Sequence, residues 1–248
     1  MTNNPSHPAG ANGPLVLITR PEPRGAAFLD ALRGATNAPF RPILSPLMRI
    51  VTVGNLPDMT DVRGIVLTSA HGVWAYRHHG GPTDRPAHVV GPSTRDAALD
   101  LGMPVMSCDP NASALVARLS AQKPAAPLLH VRGTHSRGDI ANRLTQAGIP
   151  TQDSVAYDQP VVPPTPEAQT VLLGDAPVIV PLFSPRSAKI LADLPISAPL
   201  SLIALSSAVA KAAEPLQPTE LRVASAPDAA SILDATCALI DSRRTLEA

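Results

Sequence analysis

One local pattern recurs along this chain: a short β-rich apolar run, a turn of small residues and hydroxyls, then an Ala-rich segment of helical character. It stands at LVLITRPEPRGAAFLDAL (15–32), GIVLTSAHGVWAY (64–76), AHVVGPSTRDAALDL (87–101), LLHVRGTHSRGDIANRL (128–144), VIVPLFSPRSAKIL (178–191) and SLIALSSAVAKAA (201–213). The apolar runs (Leu15–Ile18, Ile65–Leu67, Val89–Val90, Leu128–Val131, Val178–Val180, Leu202–Leu205) are nearly continuous. Strands that read this way are covered by helices on both faces, so the expected class is α/β with parallel sheets flanked by helices. A turn after such a strand leaves backbone N–H groups and a helix N-terminus at the carboxyl end of the sheet, where anionic ligands bind. Six such ends predict a receptor for something with many negative charges.

The pattern is also repeated on a longer scale. Leu128 lies 113 positions after Leu15, and Leu202 lies 113 after Val89. IVLTSA and VPLFSPRSA align at a similar separation. Each half reads as strand–helix three times and then a further helix (Ser113–Gln122 and Ala229–Arg243). Two similar domains with a cleft between them are expected. The strand-like stretches Phe40–Val53 and Thr151–Val162 are candidates for crossovers between them. Prolines such as Pro104, Pro110, Pro124, Pro127, Pro150, Pro195 and Pro199 fall between the periodic segments and punctuate them.

Composition excludes several classes. Lys+Arg and Asp+Glu number 20 each, so the chain lacks the basic surplus of a protein that grips nucleic acid by bulk charge. Three Phe, two Tyr and one Trp are too few for base-stacking platforms. No apolar run reaches the ~18 residues of a membrane helix. The opening MTNNPSHPAGANGP has neither the basic nor the apolar region of a secretory signal and reads as a disordered tail over 1–14. A soluble, cytoplasmic protein with two reduced thiols, Cys108 and Cys237, is expected. His71, His78, His79, His88, His130 and His135 show no metal-ligand spacing, and neither a phosphate-binding glycine loop nor a GxSxG elbow is present.

The residues able to carry chemistry sit in the turns. Thr68-Ser69, Ser93-Thr94, Ser184 with Ser187, and Ser206-Ser207 are helix N-cap types, and a cap and an anion site are compatible uses of one helix end. Arg20, Arg132 and Arg186 lie in or just after the turns, where a guanidinium suits bidentate pairing with carboxylate, or stays solvated. Tyr157, in SVAYDQP, lies beside a proposed crossover, where a phenol can donate a hydrogen bond or act as a general acid, or serve as an ordinary strand tyrosine.

Taken in order, VLITRPEPRGAAFLDAL, SPLMRI, GIVLTSAHGVWA, HVVGPSTRDAALDLGM, LLHVRGTHSRGDIANRL, VAYDQP, FSPRSAKIL and IALSSAVAKAA resemble the uroporphyrinogen-III synthase family over about residues 15–240. The resemblance implies two α/β domains joined by a two-stranded connection, one of 1–47 with 161–248 and an inserted one of 48–160. It implies cyclisation of the linear tetrapyrrole hydroxymethylbilane, with inversion of the last ring and loss of water, in haem biosynthesis. No cofactor and no metal are implied. The implied partners are that eight-carboxylate substrate and a transient contact with hydroxymethylbilane synthase; neither nucleic acid nor membrane is a partner, and the chain is expected to be a monomer.

On the residues, Tyr157 matches the family tyrosine held to assist hydroxyl departure, and Thr94 matches a threonine lining the cleft; these two are the catalytic candidates. Ser69 and Ser184 match the serines of paired Ser-Ala and Ser-Pro turns. The substrate-binding candidates are Thr19, Arg20, Thr68, Ser69, Ala70, Gly91, Pro92, Ser93, Arg132, Gly133, Ser184, Pro185, Arg186, Ser187, Ser206 and Ser207. Where many members carry Gly-Pro-Thr-Thr in the last repeat, this chain has Ser206-Ser207-Ala208-Val209, so no threonine acts there. The competing readings are an inactive relative that keeps the fold for binding, and a two-lobed binding protein for a polyanionic small molecule.

Overall fold

The structure, a computed structural model, describes residues 13–136 and 138–246. All but the last two residues of the expected tail lie outside them. The chain runs β1 (Leu15–Ile18), α1 (Arg24–Ala35), β2 (Arg41–Leu44), β3 (Val51–Thr52), β4 (Gly64–Leu67), α2 (Ala70–His78), β5 (Ala87–Val90) and α3 (Pro92–Asp100). It continues through β6 (Val105–Asp109), α4 (Ala112–Gln122), β7 (Leu128–Gly133), α5 (Ile140–Gln146), β8 (Thr151–Asp158) and α6 (Pro166–Leu172). The last elements are β9 (Val178–Leu182), α7 (Pro185–Ala192), β10 (Leu200–Ala204), α8 (Ser207–Ala213), β11 (Glu220–Val223) and α9 (Ala229–Leu246). All six apolar runs singled out in the sequence are strands.

Contacts divide the chain into a first unit, up to Arg49 and from Val161 on, and a second, Ile50–Pro160. The first holds a parallel sheet of order β11-β10-β9-β1-β2. Alternate strand residues go to opposite faces. Leu17, Val180, Leu182, Leu202 and Ala204 pack with Ala168, Leu172, Ala188, Leu191 and Val209 of α6, α7 and α8. Val16, Ile18, Ile179 and Ile203 pack with Phe28, Leu29 and Leu32 of α1 and with Ile232, Leu239 and Ile240 of α9.

The second unit repeats this plan. Its sheet has the order β3-β8-β7-β4-β5-β6, parallel except for β3 against β8. Ile65, Leu67, Val89, Leu129 and Val131 face Val73, Tyr76 and Ala98 of α2 and α3. Val66 and Leu128 face Leu115, Leu119, Ile140 and Leu144 of α4 and α5. Burying both faces removes most of the apolar surface from water at about 25 cal/mol per Å², the main stabilising term of each unit.

The 113-residue repeat has a structural meaning that the halves of the chain do not. Read from one edge, β2-β1-β9-β10-β11 matches β8-β7-β4-β5-β6 position for position. Yet β1–α1–β2 of the first half completes the sheet of β9–β11, and β7–α5–β8 of the second half completes that of β4–β6. Each unit is therefore assembled from both halves. Two edge strands, β6 and β11, write no continuous apolar run: β11 alternates between half-buried and exposed residues, and β6 (Val-Met-Ser-Cys-Asp) has Met106 outward and the polar Ser107 and Asp109 in its second half. The strand-like stretches pair antiparallel within each unit. Met48 bridges Val161 and Val162 N–H donates to Leu47 O at 3.0 Å in the first; Val51 and Thr52 pair with Asp158 and Tyr157 in the second. Among the described residues no helix is long and apolar enough to cross a membrane.

Candidate functional site

In the second unit the candidates gather at the carboxyl ends of β4, β5, β7 and β8. Ser69 closes β4 and caps α2: its backbone is extended and its Oγ accepts the Gly72 N–H at 3.1 Å. The same Oγ lies 2.8 Å from Tyr157 Oη, across 88 positions of sequence. Tyr157, the penultimate residue of β8, is 7% exposed and packs in the α2/α3 core. Burial pushes its phenol above the ordinary tyrosine value, and the Ser69 hydrogen bond pulls the other way. The hydroxyl therefore stays protonated at neutral pH and is available as a donor.

Gly133 explains why the ring fits. A Cβ there would stand 2.7 Å from Tyr157 Cε2 and Cζ. Gly133 is the strand partner of Tyr157, so its missing side chain is the slot the ring occupies. The sequence predicts a turn at Arg132-Gly133; in the structure they are the last residues of β7, and α5 starts only at Ile140. His71, two residues beyond Ser69 in α2, meets the Tyr157 ring edge-on at 6.0 Å.

Gly91 caps α3 at φ 82°, a backbone that favours glycine, with Pro92 at the first helical position. Ser93 and Thr94 are thus inside the first turn and are not caps. Thr94 is buried there, its N–H donating to Gly91 O at 3.1 Å. Thr68 and Ala70 flank Ser69. Arg132 is half-buried on the opposite face of the sheet from Gly133, its Nε 2.9 Å from Asp153 Oδ2 and its Nη1 3.2 Å from Gly133 O. Asp153 also takes the Nδ1 of buried His130 at 2.7 Å, and these partners hold its carboxyl below the usual range, His130 contributing most.

In the first unit the candidates lie at the ends of β1, β9 and β10. Thr19 is buried and its carbonyl accepts the Leu47 N–H at 3.2 Å. Arg20 stands over the Phe183 ring, 4.2 Å from guanidinium carbon to centroid. Ser184 caps α7 as Ser69 caps α2, accepting the Ser187 N–H at 3.0 Å, with Pro185 and Arg186 opening the helix. Its hydroxyl partner is the buried Ser187 Oγ at 2.8 Å. β2, which holds the place of β8 in this sheet, is Arg-Pro-Ile-Leu and brings no hydroxyl. Ser206 caps α8 through its carbonyl alone, which takes the Ala210 N–H at 2.9 Å, and Ser207 is exposed.

The sequence located the capping serines because a cap is a local, three-residue relation. It missed Phe183, His71 and the steric role of Gly133, which depend on neighbouring strands. Among the described residues no group of three or more His, Cys, Asp or Glu is placed to hold a metal ion.

Comparison with known proteins gives these turns a common context. The family model described as uroporphyrinogen-III synthase HemD matches residues 31–234. The crystal structure of uroporphyrinogen-III synthetase from Helicobacter pylori 26695 aligns with TM-score 0.65 and 15% identity, covering 92% of this chain and 99% of that one. A mutant uroporphyrinogen III synthase from the extremely thermophilic bacterium Thermus thermophilus aligns with TM-score 0.54 and 17% identity, covering 95% and 100%. At these identities the two structures share the fold. No curated protein sequence matches the chain. The family model spans most of the chain, from within α1 to within α9, and the chain belongs to the uroporphyrinogen-III synthase family.

Proposed function

We propose that this protein is a uroporphyrinogen-III synthase, a cyclising hydro-lyase that converts hydroxymethylbilane to uroporphyrinogen III. The family match over residues 31–234 carries the reading, and the hydroxyl-rich strand ends of both units suit a substrate with eight carboxylates.

The chemistry asks for little activation and much positioning. Loss of the terminal hydroxyl as water leaves an electrophilic azafulvene. Attack by the substituted carbon of the last ring gives a spiro intermediate. That intermediate fragments at the old methylene bond and recloses at the free carbon of the same ring, which releases a proton. Without guidance the bilane closes directly and the ring is not inverted. The work of the protein is to hold the chain so that the substituted carbon is the one within reach, a proximity effect.

Ser69 and Tyr157 have the arrangement for the first step. Either hydroxyl can donate across the 2.8 Å contact of Ser69 Oγ with Tyr157 Oη; in the arrangement we propose, Ser69 donates to Tyr157 Oη and the phenol proton is presented to the departing hydroxyl. A phenol held neutral by burial is a modest acid, adequate for a leaving group that departs readily. Backbone N–H groups at the starts of α2, α3 and α7, with Thr94, Ser184, Ser187 and the guanidinium of Arg132, supply the carboxylate contacts. Tyr157→Phe is expected to slow turnover in part and leave binding intact, because positioning persists. The test is consumption of hydroxymethylbilane, generated in situ by its deaminase, by substoichiometric purified protein. Saturable acceleration over the spontaneous closure is expected, and its absence would sink the reading.

A further inference from the structure

We propose that Asp158 is the acceptor for pyrrole N–H groups of the substrate; this rests on the reading of the protein as a cyclase of hydroxymethylbilane. Asp158 is the last residue of β8, directly after Tyr157, and its strand partner is Val51 of β3. It therefore stands at the same carboxyl end of the sheet as Ser69, Gly91 and Gly133. The chain leaving β7 is held beside it, since Thr134 N–H donates to Tyr157 O at 2.9 Å and Thr134 Oγ1 to the same oxygen at 3.4 Å. His135, next along, is 58% exposed and brings its Nε2 to 3.9 Å from Asp158 Oδ1. That distance suits an ion pair when the imidazole is protonated and is too long for a hydrogen bond.

The carboxylate is unusual in what it lacks. Oδ1 is shut off from water, yet among the described residues it accepts no hydrogen bond. The side chain as a whole is 33% exposed, so the carboxylate is within reach of a ligand. Two other acids near these strand ends are engaged. Asp109, the last residue of β6, takes Arg118 Nε at 2.7 Å and is too deeply buried to meet a ligand. Asp139, before α5, takes Asn142 Nδ2 at 2.7 Å. A desolvated acceptor without a donor costs the fold free energy, and a donor arriving with the ligand recovers it. By charge alone a carboxylate is misplaced in a receptor for carboxylates, so its presence calls for a ligand that also brings donors. Hydroxymethylbilane brings them, because each of its four pyrroles carries an N–H that donates and cannot accept. The helix N-termini and Arg132 answer the acid side chains, and Asp158 answers the pyrroles. An N–H held by a fixed carboxylate also sets how its ring is turned about the neighbouring methylene bonds, the rotation on which the choice of attacked carbon depends.

The test compares Asp158→Ala, Asp158→Asn and His135→Ala in the intact protein with two octacarboxylate probes. Uroporphyrinogen III has four pyrrole N–H groups free to turn outward. Uroporphyrin III has the same acid side chains on a flat ring whose remaining N–H groups point to its centre. Asp158→Ala is expected to raise KM for hydroxymethylbilane about tenfold, the worth of one hydrogen bond to a charged group. Uroporphyrinogen III should bind more weakly by a similar factor in anaerobic equilibrium dialysis. Uroporphyrin III, followed by fluorescence, should bind as it does to the parent or more tightly, since a like charge is gone. Asp158→Asn, which keeps an oxygen acceptor without the charge, should fall between. Wild-type KM and wild-type uroporphyrinogen affinity in Asp158→Ala would overturn the proposal. So would equal weakening of both probes, or a His135→Ala variant that reproduces the whole effect, as either makes Asp158 a structural partner. If the parent makes no type III product while Asp158→Ala still loses uroporphyrinogen III selectively, the cyclase reading falls and the site stands.

Discussion

Replacing Gly133 by alanine tests whether the slot beside Tyr157 is a working part of the site. The new Cβ would stand 2.7 Å from Cε2 and Cζ of the ring and 3.1 Å from Oη. Carbon atoms in contact prefer about 3.5–4.0 Å, so the overlap approaches 1 Å. Neither side can yield easily. Gly133 and Tyr157 are paired on adjacent strands, and the ring is enclosed by the α2/α3 core. Overpacking of this kind costs about 1–3 kcal/mol. If the ring swings to escape, the 2.8 Å contact with Ser69 breaks, at a further cost of about 0.5–1.5 kcal/mol. A displacement of the hydroxyl by this amount can lower turnover by up to about 10²-fold. Urea unfolding reads the first effect and initial-rate kinetics the second. The double variant Gly133→Ala/Tyr157→Phe should be no slower than the slower single, because both remove the same hydroxyl. Wild-type stability and rate in Gly133→Ala would refute the steric reasoning. Lost stability with an undiminished rate would detach the ring from the chemistry.

Other expectations follow from the same contacts. Ser69→Ala removes both a helix cap and the partner of Tyr157, so stability should fall by about 1 kcal/mol and turnover should fall with it; unaltered turnover would leave Ser69 a cap only. Because burial raises the Tyr157 phenol, no alkaline loss of activity below the ordinary tyrosine range should trace to it. An alkaline limb near neutrality that vanishes in Tyr157→Phe would contradict this. Asp153→Ala should cost about 1–3 kcal/mol at pH 7, since buried His130 loses its partner. The depressed Asp153 carboxyl stabilises the fold above its unfolded value, and that contribution disappears as pH falls through the lower folded value. The variant and the parent should therefore converge in acid, and a gap that persists there would count against the pairing. Arg132→Ala should raise KM with little change in kcat; an unaltered KM would assign the guanidinium to the Asp153 network alone.

What the sequence disclosed depended on range. Interior strands such as Val178–Leu182 were legible because a strand buried on both faces writes a continuous apolar run. The edge strand Glu220–Val223 was not, because it pairs on one side only and its exposed Leu221 and Val223 interrupt no obvious polar pattern. Ser69 and Ser184 declared themselves by local cap chemistry, whereas the Gly-Pro start of α3 turned Ser93-Thr94 from expected caps into first-turn residues. The contact of Ser69 with Tyr157, the slot at Gly133 and the stacking of Arg20 on Phe183 are products of strand order. Strand order is set by how two half-repeats exchange a β–α–β segment, and a repeat spacing alone does not reveal that exchange.

The most direct test of the central claim is the isomer composition of the product. Hydroxymethylbilane is generated in situ, the purified protein is added, and the oxidised uroporphyrins are separated by chromatography. A cyclase that inverts the last ring gives predominantly the type III isomer, formed faster than spontaneous closure. Type I alone, at the uncatalysed rate, would contradict the claim and leave a fold kept for binding.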